Sequence, residues 1–593
     1  MRTTTRVAAL AASGLALLAI AAPAEAVRGV TQSSGKPADY FQTKGLTQSR
    51  FTADQLERTV VRLPAYDGAE LYIEVTKPKG ETGLPVVLEA SPYHGTLADR
   101  EGTRILPGPV GADGKKLGLT GYFARRGYAV VMMDLRGTGR SRGCLDHLGL
   151  KDARDLKQVV EWAASQPWSN GRVGMTGHSY VGSTPMVAAA QRPKGLKTIV
   201  PSAGLAAMYD HQFQAGVPYF LQYAGPMALY PALAAGRKSP VARSGLPQIG
   251  AIGDDAGNNP EEAACAAGTT ALLAGEDQLS GRYADWHAQR DWSAGAADAD
   301  IPVFLFHGVN DNAARITAAQ WFFERGGRKD DKAWIGQWNH DSVNHRKDQW
   351  TAALHAWFDK HLAQRDVDTG PAVEAFLSGG TFESGRTGDR EEVLTAKSIG
   401  DEDAPSMTFR TSGTALTYSC GFTCATPGSR TFQGSATSTG VEYSTGPLPF
   451  DLVLAGVPEM VLSASVTAPR VHLIATLYEK SARTNQRRIT QCSINPELRH
   501  GIATRSVVTP GTRYDMAPPC MAMAHHVKKG SELVLRVATQ DPDKVPTFAA
   551  DPQVTVFNGP APNGTSITVP VVERPALHAD DVELEDPRNG TEG

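Results

Sequence analysis

Between about Arg58 and Leu362 the chain alternates two rhythms of apolar and polar residues. Short apolar runs at Leu84 to Leu88, Tyr128 to Met133, Arg172 to Met175, Leu196 to Val200, Val303 to Phe306 and Ala333 to Gly336 read as strands buried on both faces. Between them, Lys151 to Ser165 carries Leu156, Val159, Val160 and Ala163 at helical spacing, which predicts a helix packed on the sheet. A second helix is predicted from about Gln349 to Leu362, with Trp350, Leu354, Trp357, Phe358 and Leu362 on one face. Strands alternating with helices predict an α/β unit whose mostly parallel sheet is covered on both sides.

The rhythm lapses between Gly204 and Ile301, where Ala and Gly dominate and Gly253 to Pro260 is turn-prone. An insertion after a strand end lies over a sheet's functional edge, so this segment is expected to form a cap that shapes access. From Phe376 to Val572 the pattern becomes short alternating strands, among them Met460 to Val466, Val471 to Tyr478, Glu532 to Val537 and Gln553 to Phe557. Gly, Pro and Asp turns separate them, as in an all-β sandwich. The expected organisation is a first α/β part at 50–204, a cap at 205–300, a second α/β part at 301–368, a β-sandwich at 376–573 and an acidic tail at 574–593.

Length supports that division, since 593 residues exceed one ordinary core. The formal net charge of -3 is small for such a chain and argues against a nucleic-acid partner. Arg2 and Arg6 precede an apolar run from Val7 to Ala22, and Ala24-Glu25-Ala26 follows as a small-residue cleavage site. Residues 1–26 therefore read as a secretory signal, and with no later run of some 18 apolar residues no membrane partner is expected. Six cysteines in a secreted chain imply disulfides. Closeness in sequence favours Cys420 with Cys424 and Cys492 with Cys520, leaving Cys144 with Cys265. No metal-binding spacing stands out, so neither metal nor organic cofactor is expected.

The sharpest chemical signal is Gly174-Met175-Thr176-Gly177-His178-Ser179-Tyr180-Val181-Gly182, which follows a predicted strand and opens a small-residue helix. That arrangement is a nucleophile elbow, a tight turn that exposes the serine hydroxyl and aims the next backbone N–H at a reacting carbonyl oxygen. The second glycine comes one residue late, with Val181 in its usual place. A serine hydroxyl is a weak nucleophile at neutral pH and needs an imidazole held by a carboxylate. Asp311, in His307-Gly308-Val309-Asn310-Asp311, and His340, in Asn339-His340-Asp341, each follow a strand and keep the chain order Ser, Asp, His. His307 is read as a structural residue beneath the Asp loop, His345 as a surface loop residue, and His178 as pointing away from the nucleophile. For the second oxyanion donor, Ser91-Pro92-Tyr93-His94-Gly95 offers either a backbone N–H or the Tyr93 hydroxyl.

The elbow with its Tyr180, the Ser91-Pro92-Tyr93 run, Arg125 to Val131 leading to Asp134-Leu135-Arg136-Gly137-Thr138-Gly139-Arg140-Ser141, and the late Asn339-His340 resemble the X-prolyl dipeptidyl-peptidase and cocaine-esterase family of serine hydrolases. The resemblance covers nearly the whole chain after residue 26, late glycine included. It implies an α/β-hydrolase catalytic domain with an inserted cap and a C-terminal jelly roll beside the active site. It makes Ser179, Asp311 and His340 the triad, and the Tyr93 hydroxyl with the Tyr180 N–H the oxyanion hole. Asp134 and Arg136 are then expected as a buried structural pair.

The expected substrate is a peptide or a small acyl compound. Release of Xaa-Pro dipeptides from free amino termini ranks first, and cocaine-esterase-like ester or amide hydrolysis second. A secreted carbohydrate-binding protein with a relic hydrolase domain is the rival from another class. A dipeptidyl-peptidase must hold a buried α-ammonium, which needs an acidic partner near the nucleophile. Asp210 is the candidate, with Asp254, Asp255, Glu261 and Glu262 competing, and the resemblance places a pocket tyrosine near Tyr209. The sequence leaves the oligomeric state open.

Overall fold

The structure is a computed structural model that describes residues 45–94, 101–220, 280–377 and 440–570, the last two spans with short interruptions. Outside those spans it describes Cys265 and the strands at 31–33, 392–396, 415–419 and 428–433. The first unit is built on an 11-stranded sheet in the order β1-β13-β12-β11-β10-β7-β6-β4-β5-β3-β2. Its strands before the cap are β1 (Thr31–Ser33), β2 (Leu56–Pro64), β3 (Glu70–Pro78), β4 (Leu84–Ser91), β5 (Ala129–Asp134), β6 (Ser169–His178) and β7 (Leu196–Ser202). The ribbon β8 (Phe213–Gln214) and β9 (Val217–Pro218) belongs to the cap, and the sheet resumes with β10 (Phe304–Gly308), β11 (Lys332–Gly336), β12 (Val373–Leu377) and β13 (Glu392–Ala396). From β5 to β12 neighbouring strands are parallel, while β2, β3, β13 and β1 form antiparallel edges.

The parallel strands read as continuous apolar runs because both faces are covered. Val86, Leu88, Val131, Met133, Val173 and Met175 face one way and pack with Leu156, Val159 and Val160 of α2 (Leu150–Ser165), which follows α1 (Gly118–Ala124) in the chain. Val87, Val130, Met132, Phe304 and Phe306 face the other, against Phe123, Trp350, Leu354, Trp357 and Phe358. Alternate residues thus enter two separate cores, as a period of two requires.

The expected sandwich boundary at residue 376 falls inside β12, which pairs in parallel with β11 and carries the first sheet beyond the closing helix Lys347–His361. Its burial on both sides explains why its sequence cannot be told from that of a sandwich strand. The second unit stacks a six-stranded and a four-stranded antiparallel sheet around one core that includes Leu462, Ala464, Leu473, Leu477, Leu535 and Val556. The cap stitches the units together: Asn495 donates its N–H to Ala215, Phe220 to Asp543, and Tyr283 to Ile502. Cys144 is bonded to Cys265 and Cys492 to Cys520, while Cys420 and Cys424 lie outside the described residues. No described helix is long and apolar enough to cross a membrane.

Candidate active site

Strand β6 ends at His178 and the helix α3 (Tyr180–Ala190) begins at Tyr180, which leaves Ser179 alone in the turn. Its backbone sits at φ 66, ψ -132, a conformation that costs a non-glycine residue about 1–3 kcal/mol and must be held by its surroundings. The hold is visible. Ser179 donates its N–H to Ser202 O over 2.9 Å. A methyl at Gly177 would lie 2.3 Å from Val181 O, and one at Gly182 would lie 2.3 Å from Ser202 O. The late glycine stands where the first turn of α3 meets the end of β7, so residue 182 is the position without room for a Cβ. Val181 instead packs into the core.

Ser179 Oγ lies 2.8 Å from His340 Nε2. On the far side of the ring, His340 Nδ1 lies 2.8 Å and 3.0 Å from the two oxygens of Asp311. A proton on Nδ1 serves that carboxylate and leaves Nε2 to accept from the serine, so the contacts select the tautomer of a general base. Asp311 is 1% exposed, and its Oδ1 also accepts the N–H groups of Ala313 (2.8 Å) and Ala314 (2.7 Å). Burial alone would raise its pKa, but the charge and hydrogen bond of His340 outweigh that and hold it below the usual carboxylate value. Ionised and fixed, it can stabilise an imidazolium formed at His340.

The other histidines divide. His307 is buried beneath the acid loop with Nε2 2.8 Å from Ala314 O, the structural place expected of it. His345 ends the short helix Ser342–His345 and is not part of a loop. His178 does not lie away from the site, because its ring centroid is 4.9 Å from that of His340. Its Nδ1 is 2.9 Å from Ser202 Oγ, and burial, followed by the nearby His340, pushes its pKa down to about 3, so it lies against the His340 ring as a neutral imidazole.

Tyr93 and Tyr180 extend from the carboxyl ends of adjacent parallel strands, β4 and β6, with their ring centroids 6.3 Å apart. Tyr209 and Asp210 sit on the short cap helix Met208–Gln212. Tyr209 is buried, donates its hydroxyl to Gly281 O over 2.7 Å and packs with Phe213, Tyr283 and His287 in an aromatic cluster of the cap. Asp210 is half-buried, and Asp254, Asp255, Glu261 and Glu262 lie outside the described residues. Asp134 and Arg136 are both buried but are not each other's partners. Arg136 bonds Asp155 over 2.7 Å and 2.8 Å, and also Asp67, while Asp134 accepts the N–H of Arg140. Their side chains leave neighbouring positions of one turn for different places, which sequence proximity could not reveal.

Three site neighbours escaped sequence reasoning. His211 has a buried Nδ1 without a hydrogen-bond partner, and burial, helped by the charges of His340 and Arg315 and opposed by that of Asp311, pushes its pKa down to about 3. Arg315 ends the acid loop, is 2% exposed, and reaches to 3.6 Å from Asp543 of the second unit. His94, directly after Tyr93, is buried between Glu89 and Asp134. Only His94 left a signal, two acidic residues inside apolar strand runs. A cleft of about 440 Å³ opens where the units meet, lined by Asn310 and Asn339, the chain neighbours of Asp311 and His340, and by Arg487, Arg488, Asp541 and Asp543 from the sandwich.

A strained serine at a strand-to-helix turn, hydrogen-bonded to an imidazole and a buried carboxylate on a parallel sheet, belongs to an α/β-hydrolase enzyme. The family described as X-Pro dipeptidyl-peptidase (S15 family) matches residues 67–342, and the X-Pro dipeptidyl-peptidase C-terminal non-catalytic domain matches residues 360–568. The chain belongs to this family of hydrolases. A Streptomyces avermitilis protein named "Putative Xaa-Pro dipeptidyl-peptidase" is 26% identical over 551 residues, covering 80% of this chain and 76% of the relative. The cocaine esterase of a Rhodococcus species is 33% identical over 153 residues, about a quarter of each chain. Among solved structures, an aminopeptidase from a marine sediment Thaumarchaeota archaeon aligns with a TM-score of 0.64 at 16% identity, over 89% of this chain and 98% of its own. A CocE/NonD family hydrolase from Staphylococcus aureus aligns at 0.65 and 17%, over 87% and 94%. At such identities these two structures share the fold alone.

Proposed function

We propose that the protein is a secreted serine peptidase of the Xaa-Pro dipeptidyl-peptidase type, acting by acyl transfer through Ser179, His340 and Asp311. The observation that carries this reading is the unbroken relay from Ser179 Oγ through both ring nitrogens of His340 to Asp311. His340 takes the serine proton as Ser179 attacks the carbonyl carbon of the peptide's second residue. The tetrahedral oxyanion is held by the Tyr93 hydroxyl and the Tyr180 N–H, which belongs to the first turn of α3. Collapse expels the amine, protonated by His340, and leaves an acyl-enzyme that water hydrolyses by the same route in reverse. The disulfides and the N-terminal signal pattern support an oxidising, extracellular location.

Recognition of a free amino terminus rests on Asp210, half-buried on the cap helix beside His211. Ala-Pro-p-nitroanilide should then be cleaved far faster than its acetylated form, because acetylation removes the ammonium charge. Asp210→Asn should narrow that preference by part of a charge-assisted bond, about 1.5–3 kcal/mol. Equal rates on free and blocked substrates refute the peptidase reading. The second reading, acyl ester or amide hydrolysis of the cocaine-esterase kind, is favoured by the burial of Tyr209, whose hydroxyl is committed to Gly281 O and leaves one fewer polar group for an ammonium.

A further inference from the structure

The run from Asp134 to Ser141 takes no part in the relay, yet it is tied down from several sides. Asp134 ends β5, beside Ser91 at the end of β4, and Leu135 donates its N–H to Ser91 O over 3.1 Å. Asp134 Oδ2 accepts the Arg140 N–H over 2.8 Å, in a turn so tight that a methyl at Gly139 would lie 2.3 Å from that same oxygen. Its other oxygen, Oδ1, lies 3.3 Å from His94 Nδ1, close enough for an ion pair but short of a well-aligned hydrogen bond. On the opposite edge of the ring, His94 Nε2 lies 3.0 Å from Glu89 Oε1. All three side chains are almost fully buried: Glu89 is 3% exposed, His94 2% and Asp134 1%.

A neutral imidazole carries one N–H and could donate to only one of the two carboxylates at its edges. A protonated ring serves both. Burial works against that charge, but the contacts to Asp134 and Glu89 outweigh it and raise the pKa to about 10. The imidazolium therefore ties the interior of β4 to the end of β5. Tyr93 is the residue immediately before it, and its own N–H is held by Ser91 Oγ over 3.0 Å. The loop carrying Tyr93 is thus anchored on one side by Ser91 and on the other by His94.

We propose that His94, clamped between Glu89 and Asp134, is a positioning residue that sets the Tyr93 hydroxyl at the oxyanion site, and that the Asp134-to-Ser141 turn exists to present the second carboxylate of the clamp. This rests on the reading of Tyr93 as an oxyanion donor. His94 touches no reacting atom. It acts by fixing where the tyrosine stands, and a displacement of about 1 Å at a reacting group costs about 10²-fold in rate.

The test is a double-mutant cycle on the mature protein with one chromogenic substrate. His94→Gln should lower kcat by about 10- to 100-fold with KM little changed, and should cost almost nothing further in a Tyr93→Phe background, since both act through one hydroxyl. Asp134→Asn and Glu89→Gln each keep an oxygen for the ring while removing a charge. They should give smaller losses with the same loss of additivity, and they carry the cycle if His94→Gln does not fold. Losses that multiply with that of Tyr93→Phe, or that appear in KM or thermal stability alone, overturn the inference while leaving Tyr93 its role. A Tyr93→Phe enzyme with wild-type kcat overturns the oxyanion reading itself, and the clamp's purpose with it.

Discussion

Replacing Gly182 by Ala tests whether the late glycine of the elbow sets the nucleophile's position. The added methyl would stand 2.3 Å from Ser202 O, about 1 Å inside the 3.4 Å at which ordinary contact begins. That oxygen is the acceptor of the Ser179 N–H, so whichever side yields, the bond holding the nucleophile's backbone opens. Overpacking of this kind costs about 1–3 kcal/mol of stability. A shift near 1 Å at Ser179 should also lower kcat by about 10²-fold, because the relay to His340 spans one hydrogen bond and tolerates no such slack. Steady-state turnover of a chromogenic substrate and the rate of fluorophosphonate labelling read the second effect, and thermal unfolding reads the first. Gly295→Ala is the control, since its methyl would crowd Ala190 at the far end of α3, 2.7 Å from the Ala190 Cβ. It should cost stability and spare kcat. A folded Gly182→Ala enzyme with wild-type turnover would refute the argument.

Ser179→Ala should fold normally, lose labelling by a fluorophosphonate and lose turnover by several orders of magnitude; retained activity removes the triad assignment. The charge on His94, whose pKa is raised from an ordinary 6.5 to about 10, contributes stability that is complete below about pH 6.5 and is lost as pH rises through about 10. The difference in thermal midpoint between wild type and His94→Gln should therefore shrink across that window, and a difference that grows with pH contradicts a charged clamp between Glu89 and Asp134. The bridges Cys144–Cys265 and Cys492–Cys520 close spans of 121 and 28 residues. Their reduction should cost roughly 3–5 kcal/mol each by chain entropy. The denatured, unreduced protein should show no thiol if Cys420 and Cys424 are also paired, and two titratable thiols would exclude that third bridge.

Much of this protein is legible in the order of its residues, because the features concerned are local or periodic. The strands at Leu84, Ala129, Ser169 and Leu196 announce themselves as apolar runs, since a parallel sheet covered on both faces leaves no polar side to interrupt them. The elbow is legible because its geometry depends on residues 177 to 182 and their need for small side chains. Asp311 and His340 are legible because each follows a strand, and parallel strands bring their carboxyl ends to one edge.

What the tertiary structure alone decided are the pairings between distant or differently directed side chains. Arg136 turns to Asp155 and Asp67, while Asp134, two residues earlier, accepts the N–H of Arg140 as the turn through Gly137 and Gly139 folds back on it. Tyr209 packs against Phe213, Tyr283 and His287, because a helix of five residues can roll either face inward and its neighbours choose which. His94 lies one residue from a residue singled out in the sequence, yet its meaning depends on Glu89 of β4, the strand that leads into it, and on Asp134, which only the pairing of β4 with β5 brings to the ring's other edge. Burial makes that charge arrangement energetically decisive, and burial is a property of the packed chain that no local pattern records.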